Sequence, residues 1–211
     1  MRPIYLVSVL VTCLGCTILK VVGHPPEPAS LRSELQLKTE VVGATFCESD
    51  YLRLQLRLRY FNSGKQAVIL SRYSNTIWTY FISKTFKDAQ RKKYEQEYSP
   101  TQSLIGESAP VDTEEPNAQE FVILSPGGSY EVTAQAHLPF LHDGKDDDPS
   151  LLRPGTHVLE IRAGTWPGKQ DVATKLRERW RAHGYLWTES IMSQPMTFTI
   201  AESPQVVKCS D

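Results

Sequence analysis

The sequence predicts a mainly β protein, an antiparallel sandwich with one short inserted helix near residues 171–183, and three stretches carry that reading. Residues 51–61, YLRLQLRLRYF, alternate leucines with arginines and a glutamine. A period of two turns one set of side chains to each face of a pleated strand. Residues 124–132 (LSPGGSYEV) and 151–166 (LLRPGTHVLEIRAGTW) each run from a Pro-Gly turn into a strand. Proline sets φ at the first central turn position and glycine supplies positive φ at the second, as a type II turn requires. Turn-then-strand units at this spacing are the rhythm of two packed antiparallel sheets.

The N-terminus reads as an export leader. Residues 1–23 start with Arg2 and continue through an apolar run interrupted by Ser8, Thr12, Gly15 and Thr17. The run is short and interrupted for a membrane span and suits a signal peptide. Cleavage after Gly23 satisfies the small-residue rule. The alternative is a lipoprotein leader over residues 1–15, because Cys13-Leu14-Gly15-Cys16 is similar to a lipobox, with lipidation at Cys16 as the chain's only tie to a membrane. Either processing exports the chain, to a periplasmic, envelope-associated or secreted location. Residues 24–40, with Pro25, Pro26 and Pro28, read as a linker or edge segment, 41–203 as the sandwich domain and 204–211 as a tail.

Beyond the leader the only cysteines are Cys47 and Cys209. An oxidising compartment predicts a disulfide between them, which the chain-entropy model values at roughly 4–5 kcal/mol. Cys47 as a nucleophile lacks a surrounding His or Asn signature. The formal net charge is −1, which gives no electrostatic case for nucleic acid.

In residues 51–61, Leu52, Leu54, Leu56, Leu58 and Tyr60 are expected inside, with Arg53, Arg57 and Arg59 outside. The arginine row is either a solvated face or an anion-binding surface. Asn62-Ser63-Gly64-Lys65 forms a turn and 67–70 a buried strand, so 51–70 reads as a hairpin. This strand, turn and strand, followed by Leu124-Ser125-Pro126-Gly127 and Leu152-Arg153-Pro154-Gly155-Thr156, resembles bacterial immunoglobulin-like domains, including the intracellular proteinase inhibitor family. The resemblance spans 51–70 and 121–163. It implies an immunoglobulin-like sandwich and, as a second functional reading, a protease inhibitor that inserts a loop into a protease cleft. In those domains a tyrosine usually stands where this chain has His157, plugging a corner of the sandwich.

Residues 76–83 (TIWTYFIS) predict a strand with Trp78, Tyr80 and Ile82 on one face. Residues 84–120 are charged and then Pro-rich, which predicts a solvated excursion and a partner-binding surface. Residues 121–124 and 130–138 continue the sheets. Residues 139–150 hold Asp143, Asp146, Asp147 and Asp148, oxygen ligands that are calcium candidates but lack the EF-hand spacing; the simpler reading is a solvated acidic loop. Val172, Leu176 and Trp180 recur at helical spacing after Asp171, a candidate N-cap. The outer face carries Lys175, Arg177, Arg179 and Arg181, read as a solvated helix surface. Leu186-Trp187 and residues 196–200 predict closing strands.

The five histidines, His24, His137, His142, His157 and His183, have no metal-ligand spacing, and no phosphate loop or nucleophile elbow is present. His157 reads as a corner residue bonded to backbone, while His137 and His142 flank the acidic loop. Together these features predict an exported, non-enzymatic β-sandwich, without an assigned cofactor, that binds an unknown protein or cell-envelope component through residues 84–120 and 139–150.

Overall fold

The computed structural model describes residues 35–48, 51–72, 78–99, 113–140 and 151–209. In chain order the strands are β1 (Leu35–Cys47), β2 (Tyr51–Asn62), β3 (Val68–Ser71), β4 (Trp78–Ser83), β5 (Gln96–Tyr98), β6 (Phe121–Leu124), β7 (Ser129–Pro139), β8 (Gly155–Ala163), β9 (Tyr185–Leu186), β10 (Ile191–Met192), β11 (Met196–Ile200) and β12 (Val206–Val207). Helix α1 (Phe86–Gln90) lies between β4 and β5, and α2 (Gln170–Arg179) between β8 and β9. The mainly β expectation is met.

The leucine strand organises the first sheet, ordered β12-β1-β2-β7. Leu52, Leu54, Leu56, Leu58 and Tyr60 are buried, each aliphatic side chain contributing about 1.5–3 kcal/mol through lost water contact. The arginines face outward, where Arg57 lies between Glu40 at 3.0 Å and Glu131 at 3.4 Å. That cross-strand charge ladder matches the solvated-face reading of the arginine row. β1 pairs with β2 along its length, with a register shift between Val41 and Gly43. The strand starts at Leu35, inside the segment read from sequence as a linker or edge.

The second sheet runs β10-β8-β4-β5, with β11 also on β8. The third is β6-β3-β9. Residues 51–70 therefore do not form the expected hairpin: β2 pairs with β1 and β7, while β3 pairs with β6 and β9. The cause is local. All of Val68–Ser71 is buried, so β3 has no solvent face and needs cover on both sides. Val68 and Leu70 join the main core with residues of the other two sheets, while Ile69 joins Phe121, Leu186 and the helix residues Ala173, Leu176 and Trp180. Asn62 redirects the chain: its buried Nδ2 donates to the carbonyls of Gln66 (2.8 Å) and Leu124 (2.9 Å), and its Oδ1 accepts from the Gly64 N–H at 3.0 Å.

Two further expectations change. The charged excursion is not wholly solvated, because residues 84–99 lie on the second sheet. Thr85 caps α1, Ala89 is buried, and β5 pairs with β4. Helix α2 begins one residue before Asp171, with Lys169 at the cap position and no side-chain cap bond, and it ends at Arg179, with Trp180 as its C-cap, rather than near 183. Trp180 is fully buried and packs edge-on against Phe121 at 4.8 Å.

At the chain's end β12 pairs parallel to β1, which brings Cys209 to Cys47 in the expected disulfide, with Cα atoms 5.4 Å apart. No helix among the described residues is long and apolar enough to cross a membrane.

Candidate binding cleft

The edges of the first two sheets behave differently on the two sides of the molecule. On one side a bridge between Leu37 of β1 and Ser193, just after β10, joins the sheets. On the other, β7 and β5 end their sheets, with no further strand paired to either among the described residues. The Tyr80 hydroxyl on β4 donates to the Gln135 carbonyl on β7 at 3.3 Å, which places β4 beneath β7. β5 is paired on the far side of β4 from β8. The second sheet therefore extends one strand beyond the first.

That overhang makes an open cleft of about 700 Å³, lined by Trp78, Tyr80, Glu97 and Tyr98 on one side and by Gln135 and His137 on the other. Burial pushes the Tyr80 phenol well above its ordinary range, so it is a neutral donor across the floor. Tyr98 donates to Gln96 Oε1. Glu97, opposite Phe81 in the register, turns its side chain to the outer face of the second sheet, where it lies 3.5 Å from Arg162. His137 stacks on Tyr51 with centroids 5.0 Å apart.

The backbone orientation of β7 follows from its turn. The Asn62 N–H donates to the Gly128 carbonyl (3.0 Å), and its carbonyl accepts from the Gly127 N–H (2.8 Å), so the peptide groups of Asn62 face β7. Alternation turns Tyr60, Leu58, Leu56 and Leu54 the same way, against Tyr130, Val132, Ala134 and Ala136. Glu131, Thr133, Gln135 and His137 consequently point their N–H and C=O groups away from β2. The Tyr80 bond to the Gln135 carbonyl agrees with this parity. So does Pro139 at the strand end, since proline is tolerated where its missing N–H faces outward.

The residues singled out from sequence divide around this site. His137 lines the cleft, and Glu97, Tyr98 and Ser99 come from the excursion expected to bind a partner. Cys47 and Cys209 are bonded to each other. His157 is the corner residue: its Nε2 lies 2.8 Å from the Arg153 carbonyl, which can only accept, and the ring stacks on Phe198. Arg177 and Arg179 reach the carbonyls of Leu186 (3.0 Å) and Thr113 (3.4 Å), so the outer face of the helix is partly structural. Cys16, His142 and the calcium candidates Asp143, Asp146, Asp147 and Asp148 lie outside the described residues. Trp78 and Gln135 were missed as site residues, because a sheet edge is a property of strand order; Pro139 closing a long alternating strand was the available sign of a free edge.

No family model and no curated protein matches this sequence. Among solved structures, a Northeast Structural Genomics Consortium target is similar at 12% identity, covering 79% of this chain and 85% of that one with a TM-score of 0.34. The functional reading therefore rests on this chain's own residues.

Proposed function

We propose that this chain is an exported, non-enzymatic β-sandwich of immunoglobulin-like build that binds a protein or cell-envelope component through the cleft between β5 and β7. The observation that carries the reading is the overhang of β5 beyond β7, which leaves backbone groups of Thr133, Gln135 and His137 beside the half-buried rings of Trp78 and Tyr98. Clefts with a few placed polar groups and aromatic walls are ordinary binding sites. The Cys47–Cys209 disulfide supports an oxidising location, where such bonds persist.

A photoreactive side chain at Ser99, on the rim of the cleft, tests the reading in the intact chain. Cross-linking to one partner from Ser99, and none from the same group at exposed Lys175 on α2, supports it. Equal yields from both positions contradict it. Stoichiometric inhibition of a protease in a panel would favour the inhibitor reading that the resemblance implies.

A further inference from the structure

We propose that the occupant of the cleft is one extended peptide segment of a partner protein, added as a strand to β7, with alternate apolar side chains entering the trough. The proposal rests on the cleft being the partner site.

An extended backbone is what the edge recognises. Successive odd-numbered residues from Glu131 to His137 present a donor and an acceptor every second residue, the repeat to which another strand pairs. The Gln135 carbonyl already accepts from Tyr80 and retains a second lone pair. Proteins usually blunt such an edge with lysines, bulges or prolines. Along β7 the register with β2 is unbroken, Glu131 is the only carboxylate, no lysine or arginine occurs, and proline enters only at Pro139.

The overhang sets the width of the occupant. β4 lies beneath β7 and β5 beneath the space next to it, so that space has the breadth of one strand. A second copy does not fit. Two β7 edges paired about a twofold axis would bring each copy's β5 under the other's β7, where β4 already lies. A single strand instead turns alternate side chains onto Trp78 and Tyr98.

Two nine-residue peptides, one alternating valine and threonine and one with proline in place of each threonine, probe this by affinity and residue-resolved amide exchange. In the free protein the amides of Thr133, Gln135 and His137 should exchange at least tenfold faster than those of Val132, Ala134 and Ala136. The valine-threonine peptide should slow the first set at least tenfold and bind at least tenfold more tightly than the proline-bearing peptide.

Slow exchange of the three edge amides in the free protein overturns the proposal, because the edge is then already covered. Equal affinities for the two peptides overturn it too, as does the absence of protection by either. Peptide binding that perturbs Trp78 and Tyr98 but leaves the edge amides fast overturns strand addition while the cleft stands as a partner site. Uniform Ser99 and Lys175 cross-linking instead removes the cleft reading itself.

Discussion

Lys92 and Glu160 meet at 3.2 Å across the outer face of the second sheet, one side chain 57% exposed and the other 5%. Lys92 takes φ +56°, a left-handed conformation uncommon for a side-chain-bearing residue and costing about 1–3 kcal/mol. It ends the turn after α1, and its ammonium covers a carboxylate that β8 would otherwise bury without a counter-charge. The pair fastens the α1 segment to the sheet, with Ala89 buried and the rings of Phe81 and Tyr94 4.5 Å apart.

Glu160→Ala should destabilise by about 1–3 kcal/mol, less than a fully buried pair because Lys92 stays hydrated. Urea unfolding measures the loss, and amide exchange should quicken over residues 86–95 before the rest of the chain. An unchanged midpoint would show that the segment is held by other contacts.

The same cluster predicts a loss of stability in base. Burial pulls the Lys92 ammonium down, but hydrogen bonds and charge from Glu160 and Tyr94 outweigh it and leave its pKa above the usual lysine range. Burial, aided by the charge of Glu160, also raises the Tyr94 phenol. A lysine raised on folding stabilises below its unfolded pKa, and that contribution is lost as pH climbs through the folded value. A tyrosine raised on folding acts in the same direction, because the unfolded chain ionises first. Urea midpoints should therefore fall above about pH 10, and this slope should flatten in Glu160→Gln.

Asn62 makes a sharper case, since its amide serves two carbonyls and one N–H while wholly buried. Asn62→Ala strands those groups and should cost about 3 kcal/mol, at about 1–3 kcal/mol per unsatisfied buried group. Asn62→Asp should be worse at pH 7, because a carboxylate would face the Gln66 and Leu124 carbonyls. On acidification toward pH 4 its deficit relative to Asn62→Ala should shrink. A parallel pH course for the two variants would refute the assignment.

How much of this was legible follows from the range of each interaction. Alternation in residues 51–61 located β2 and its inward leucines, and the two cysteines beyond residue 23 located the disulfide. Gly155 takes the positive φ expected of it, although at +134° it is more extended than a type II turn requires. Sheet membership was not legible. A four-residue run such as Val68–Ser71 carries no period, so its departure from β2 depends on Asn62 reaching Leu124, distant in sequence. Charge density in 84–99 suggested solvent, but the buried Glu160 of β8, the burial of Ala89 and the pairing of β5 with β4 hold that segment on the sheet. The cleft depends on which strands end the sheets, which no local pattern encodes.

Two glycines with positive φ should differ in what they tolerate. A Cβ on Gly155 meets nothing within 4 Å, so Gly155→Ala should cost about 1–2 kcal/mol through backbone strain alone. At Gly184, with φ +146°, a Cβ would stand 2.6 Å from the Ala67 carbonyl oxygen. That oxygen accepts from the Tyr185 N–H and begins the pairing of β9 with β3. Gly184→Ala should therefore cost at least 1 kcal/mol more than Gly155→Ala and loosen β9, as thermal unfolding and amide exchange at Leu186 and Trp187 would report. Equal costs would place β9 elsewhere.

The Cys47–Cys209 bond closes a loop with a sequence separation of 162 residues. For a loop this long the chain-entropy model gives about 5 kcal/mol, and engineered bonds commonly deliver less. The bond also acts locally, since β12 is otherwise held to β1 by two paired residues and by the Glu48 N–H donating to the Val207 carbonyl at 3.0 Å. So short a strand has little pairing energy of its own. In Cys47→Ser/Cys209→Ser, stability should fall by about 2–5 kcal/mol. The amide of Glu48 should exchange freely, while Leu54, Leu56 and Leu58 stay protected until global unfolding. If Glu48 remained as protected as in the disulfide-bonded protein, β12 would be held by its own contacts and the bond would act on the unfolded chain alone.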